Sequence, residues 1–144
     1  MAETLRSVDI ERTGTDQYVA RNSRGGALRF GSGGETDFTP VELLLAAIGG
    51  CSAIDVDMLT RRRAEPTTFA VTVTGHKLRD AAGGNHMEDL SVVFSVSFPD
   101  GEQGDAAREM LPKAVQLSHD RLCTVSRTVE RGTPITTTLA DPER

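Results

Sequence analysis

The chain lacks Trp altogether and carries only five Phe and one Tyr among its 144 residues, so whatever core it builds is largely aliphatic. It also lacks a basic excess. Sixteen Lys and Arg against 21 Asp and Glu leave a formal net charge of −5, which removes the reason to expect nucleic acid or an anionic membrane as partner. Arg61-Arg62-Arg63 is the one basic run, and it reads as a solvated last helical turn where the macrodipole favours cations. The first residues contain no apolar stretch of the secretory kind, and no strictly apolar run approaches the roughly 20 residues of a membrane span. No repeat or low-complexity linker separates a second domain, so residues 1–144 are read as one, comprising 1–36, 37–64 and 65–144. Cysteine is scarce too. Cys51 and Cys123 have no C-x-x-C partner, and in a chain without an export signal they point to a reducing cytoplasm and to thiols that are chemical or incidental. With His76, His86 and His119 they offer no ligand-pair spacing for zinc. Gly31-Ser32-Gly33-Gly34 has neither the spacing nor the Lys of a phosphate loop, so no cofactor is expected.

What is present is organised around Asp37 to Arg63. Thr39 can cap a helix, Pro40 suits its first position, and Glu42 completes a Thr-x-x-Glu capping box. Leu44, Ala47 or Ile48, Cys51, Ile54 and Met58 recur at helical spacing, which aims Cys51 at a core. From Leu43 to Ile48 the helix is apolar on every side and should be enclosed all round, most simply by a second copy of the chain. Gly49-Gly50 inside it costs about 1 kcal/mol per residue relative to Ala, which suggests close approach by a neighbouring helix.

Before this helix, Leu5 to Arg12, Gln17 to Asn22 and Ala27 to Phe30 read as a three-stranded meander. After it, Thr68 to Lys77 and Leu90 to Phe98 alternate as half-buried strands, joined from Arg79 to Asp89 by a loop too long for a tight turn. Gln103 to His119 is helical, with Pro112 predicting a kink or two abutting helices. Cys123 falls in the first turn of a further helix ended by Gly132, and Pro134 to Leu139 reads as a closing edge strand.

Chemically, the two cysteines are the thiol nucleophiles on offer, against the bland reading of small buried hydrophobes. His119, four residues before Cys123, is a candidate base for a Cys–His hydrolase. Glu42 has a bland reading as the capping-box carboxylate. Nine residues separate it from Cys51, about half a turn round and roughly 13 Å along a straight helix. Sharing one site therefore needs a break at Gly49-Gly50 or a second chain. Cys51 sits mid-helix, away from any free helix end, so its activation is expected from a side-chain cation.

The segment T-P-V-E-L-L-L-A-A-I-G-G-C-S-A-I-D-V, followed some 70 residues later by S-H-D-R-L-C-T-V-S-R-T-V, resembles the OsmC/Ohr family of thiol peroxidases, closer to its OsmC-like branch. The resemblance implies an intertwined α/β (α+β) homodimer with antiparallel sheets wrapped around paired central helices and its active sites at the subunit interface. It implies that Cys51 is the peroxidatic and Cys123 the resolving cysteine, with Glu42 the catalytic carboxylate. Organic hydroperoxides would be reduced through a sulfenic acid and an intramolecular disulfide, with an external dithiol as reductant. The pocket would be built from Leu44, Ile48, Met58 and their partners. The family's thiolate-holding arginine has no residue-for-residue match. Gly14-Thr15-Asp16-Gln17 stands at its place, flanked by Arg12 and Arg21. An alternative is a non-catalytic protein that keeps the apolar pocket for a lipid-like ligand.

Overall fold

The computed structural model describes residues 4–141. It divides into two compact units, one running to Ala46 and the other from Ala47.

In the first unit, β1 (Asp9–Gly14), β2 (Gln17–Arg21) and β3 (Ala27–Gly31) form an antiparallel meander in that order. The turn between β2 and β3 is made by Asn22, whose Oδ1 accepts from the backbone N–H of Arg24 at 3.0 Å and of Gly26 at 2.9 Å. Val19 and Phe30 are buried, and Tyr18 stacks on Phe30 at 5.5 Å between ring centroids. The expected first strand begins later than its apolar letters suggested, because Leu5 and Val8 lie exposed ahead of the pairing that starts at Asp9↔Arg21.

Helix α1 spans Pro40–Thr60. Its capping box forms as read: Glu42 accepts from the Thr39 N–H at 2.8 Å, and the Glu42 N–H donates to Thr39 Oγ1 at 3.2 Å. The helix is unbroken through Gly49-Gly50. By length and composition it could cross a membrane, but Ile48, Gly49, Ser52, Val56 and Thr60 form a buried stripe along it, as in a core helix. That stripe is rotated from the expected one. Ile54 and Met58 are 63% and 47% exposed, and small residues occupy the packed side instead. Gly49 explains the rotation, since a Cβ there would run into Val73 and touch Val71, both on the strand that follows α1. Its close neighbour is therefore a strand, not a helix. Thr60, fully buried, satisfies its hydroxyl by donating to the Val56 carbonyl at 2.9 Å.

The second unit continues with the antiparallel hairpin β4 (Thr68–Arg79) and β5 (Asn85–Ser97). Phe69, Val71, Val73, Val92, Phe94 and Val96 alternate onto one half-buried face, with Phe69 edge-on to Phe94. The connection is tighter than expected. Asp80 closes it by accepting on Oδ1 from the N–H groups of Ala82 and Gly84, and Gly83 supplies a φ of 88°.

Helix α2 (Glu102–Leu117) runs unbroken through Pro112, burying Gly104, Ala107 and Ala114. The interruption comes later, as a five-residue π-turn at Ser118–Leu122, followed by α3 (Thr124–Glu130). Gly132, at φ 62°, follows the end of α3 as read. Pro134 to Leu139 is not a strand. Ile135 and Leu139 are 90% and 95% exposed, and a strand needs a neighbour to accept its ladder, which the described residues do not provide.

Candidate active site

The two cysteines, 72 positions apart, come together in the second unit. Cys51 is half-buried on α1, whereas Cys123 is fully buried and caps α3. The π-turn makes this possible: its wider ring is closed by the Cys123 N–H donating to the Ser118 carbonyl at 2.8 Å, which sets Cys123 at the entry to α3. Helix α1 holds this corner at two points. Asp55 accepts from the buried Ser118 hydroxyl at 2.9 Å, and Ser52 donates to Cys123 Sγ at 3.4 Å. The sulfur also accepts from the Ser126 N–H at 3.4 Å and lies 3.1 Å from Ser126 Oγ.

These contacts divide the thiols electrically. Burial pushes Cys51 up, the adjacent Cys123 pushes it further, and the backbone amides of Val125 and Thr124 oppose the rise without cancelling it. Burial acts on Cys123 as well, but hydrogen bonds from Ser126, Ser52 and the Ser126 amide, with the Cys51 thiol beside it, bring its pKa below the usual thiol value. The expectation that a mid-helix Cys51 meets no helix end is thus corrected. Folding brings the first amides of α3 to it.

The other expected site residues each have a partner of their own. Glu42 is engaged in the capping box. Arg12 donates to Thr15 Oγ1 at 3.4 Å, and Arg21 lies 3.9 Å from Glu11, both within the meander. His119 does not serve Cys123. Its Nδ1 meets Asp120 and its Nε2 meets Glu130, each at 3.2 Å, and these carboxylates raise its pKa, Asp120 foremost. Ser52, Asp55, Ser118 and Ser126 escaped the sequence reading, although all four fall inside the two cysteine motifs.

Beside the thiols lies a cavity of about 420 Å³, walled by Ile48, Leu90, Val92, Phe94, Val115 and Val129. Ser52 and Ser126 line it as well, and His119, Glu130 and Gln116 complete it. Of the apolar residues expected to build it, Ile48 does so, whereas Leu44 and Met58 do not.

The family profile described as OsmC-like protein matches residues 32–138. The chain belongs to the OsmC-like family. An uncharacterized protein of Mycobacterium tuberculosis (strain H37Rv) is 32% identical to this OsmC-like chain over 135 residues, covering 92% of it and 94% of the relative. Protein YhfA of Escherichia coli K12 is 31% identical over 107 residues, 74% and 75% of the two chains. Among solved structures, an OsmC-like protein of unknown function from Vibrio cholerae shares the fold with a TM-score of 0.73 at 13% identity, covering 88% of this chain and 94% of that one. The organic hydroperoxide resistance protein OhrB of Bacillus subtilis shares it with a TM-score of 0.54 at 16% identity, covering 88% and 92%. The mixed α+β fold with antiparallel sheets and a long central helix is therefore that of the OsmC and Ohr proteins.

Proposed function

We propose that this OsmC-like protein is a thiol peroxidase that reduces organic hydroperoxides, in defence against oxidative stress. The observation that carries the reading is the meeting of Cys51 and Cys123 within a chain of this family. Cys51, the more open thiol, attacks the peroxide and becomes a sulfenic acid. Cys123 then closes a disulfide that an external dithiol reopens, as a reducing cytoplasm would allow. The apolar cavity favours alkyl or aryl hydroperoxides, which gain roughly 25 cal/mol per Å² of buried apolar surface, over hydrogen peroxide.

The working unit is a homodimer. Exposed Ile54 and Met58 on α1 support this, as does Gly50, beside which a Cβ would meet open space. Because α1 is continuous, Glu42 can join Cys51 only from a second copy, and Arg12 or Arg21 is the candidate guanidinium for the Cys51 thiolate. Replacing by Met whichever of the two supplies that guanidinium should slow sulfenic acid formation and leave disulfide closure unchanged.

Peroxide-treated protein analysed by mass spectrometry tests the reading. One equivalent of alkyl hydroperoxide should give a Cys51–Cys123 disulfide within one chain, and Cys51→Ser should abolish turnover. Both thiols remaining reduced would instead favour a second reading, a binder of small apolar ligands. Its support is that the cavity has the size of a small-molecule site and is lined by neither thiol. In that case iodoacetamide would label Cys51 only on unfolding.

A further inference from the structure

Cys123 owes its place to a contact that does not touch its sulfur. Ser118, buried at the joint of α2 and the π-turn, gives its N–H to Ala114 and Val115 and receives the Cys123 N–H on its carbonyl at 2.8 Å. Cys123 therefore moves with Ser118. In an ordinary α-turn the N–H reaching back to that carbonyl would be that of Leu122, which is 42% exposed, and the one extra residue of the π-turn brings Cys123 round instead. Asp55 fixes Ser118 from the side: its Oδ2 accepts from the Ser118 hydroxyl at 2.9 Å. Asp55 is half-buried on α1, three positions after Ser52, so the two share a helix face about 4.5 Å apart along the axis. The π-turn segment meets that face twice, Ser118 on Asp55 and Cys123 on Ser52, whose hydroxyl donates to the sulfur at 3.4 Å. Asp55 is not spent on an ion pair. Asp57, two residues on, pairs with Arg61, whereas among the described residues no cation lies within ion-pair distance of Asp55.

We propose that Asp55 is a positioning residue for the resolving step: by holding Ser118 it sets the π-turn so that Cys123 stands against the stretch of α1 that carries Cys51. The proposal rests on the peroxidase reading above. In the resolving step the Cys123 sulfur bonds to the Cys51 sulfur of the sulfenic acid, the S–O bond breaks, and hydroxide departs as water with the proton that Cys123 gives up. That displacement needs the incoming sulfur at the right height along α1, and a small misplacement costs rate. Attack of Cys51 on a peroxide does not involve the Cys123 sulfur, so loss of the Asp55–Ser118 bond should fall mainly on closure.

The test uses dithionitrobenzoate on the reduced full-length protein, because it reaches the closing step without any peroxide. Cys51, the more open thiol, displaces one thionitrobenzoate and keeps the other as a mixed disulfide. Cys123 then attacks the Cys51 sulfur and releases the second. Asp55→Ala should slow the second release by about tenfold or more while slowing the first by less than about threefold. Ser118→Ala deletes the same bond from its other end and should do likewise, and the double variant should be no slower than either single one. Asp55→Asn, whose amide oxygen accepts the same hydroxyl, should keep the second release within about threefold of wild type. Asp55→Ala puts the best helix former at a half-buried helix position and so keeps the fold, which makes it the deciding variant. A second release unchanged in Asp55→Ala, or slowed only as much as the first, overturns the proposal, and so does an Asp55→Asn as slow as Asp55→Ala. Failure of the peroxidase reading looks different: the second release depends on Asp55 as stated, and yet an alkyl hydroperoxide leaves wild type with neither sulfenic acid nor disulfide.

Discussion

Replacing Gly49 and Gly50 separately by Ala isolates the contact that seats α1 on the sheet. Both residues lie in the helix interior, so each substitution gains about 1 kcal/mol of helix propensity, and this gain cancels in the comparison. What differs is the space outside. At Gly50 an added methyl meets nothing, whereas at Gly49 it enters the volume of the Val73 side chain, with Val71 behind it. Valine is branched at Cβ and cannot swing its far end aside, so the overpacking costs about 1–3 kcal/mol. Gly49→Ala should therefore be less stable than Gly50→Ala by about 1–3 kcal/mol in urea denaturation at matched protein concentration. Val73→Ala removes the colliding methyls, and in a double-mutant cycle it should recover most of that difference. If Val73→Ala is simply additive with Gly49→Ala, the close seating of α1 on β4 is wrong. A concentration series on Gly50→Ala adds a second result, because destabilisation that grows on dilution would place a second copy against that residue.

Three other outcomes are expected. His119 should titrate by NMR above its ordinary 6.5, and Asp120→Asn should lower that value. Because its folded pKa is raised, the His119 contribution to stability is present in full below pH 6.5 and fades as pH rises through the raised value. Removal by His119→Gln should thus reduce thermal stability on the acid side alone. Val92→Phe, which fills part of the cavity, should raise KM for cumene hydroperoxide about tenfold, equivalent to roughly 1.4 kcal/mol of lost apolar burial, with hydrogen peroxide turnover unaffected. Sedimentation of the reduced protein at micromolar concentration should give a dimer, and a monomer there would leave exposed Ile54 and Met58 without an occupant.

Local signals were readable where local chemistry decides. The Thr39–Glu42 box, the β1–β3 meander and the alternating β4 and β5 follow from capping, turn and period-two patterns, and all formed. The cysteine-bearing stretches were recognisable as motifs. The buried face of α1 was not, because a helix apolar all round has no periodicity to orient it, and the deciding contact was the absence of a side chain at Gly49. Ser52 and Asp55 looked like ordinary polar helix positions. Their roles exist only once the π-turn carries Ser118 and Cys123 to them. Pro134 to Leu139 failed for the converse reason, since a strand is a property of a pair and alternation describes one member.

The sulfur of Cys123 is also the cap of α3, accepting from the Ser126 amide, which would otherwise lack an acceptor. Joining it to Cys51 turns that sulfur into a far poorer acceptor, so oxidation uncaps a helix of seven residues. Loss of a cap costs about 0.5–2 kcal/mol, comparable to the whole stability of so short a segment. The oxidised protein should then loosen from Thr124 to Glu130, with faster amide exchange there than in the reduced form. The same bond that records the peroxide would thereby unfasten the segment covering it, opening the disulfide to the dithiol that must reduce it.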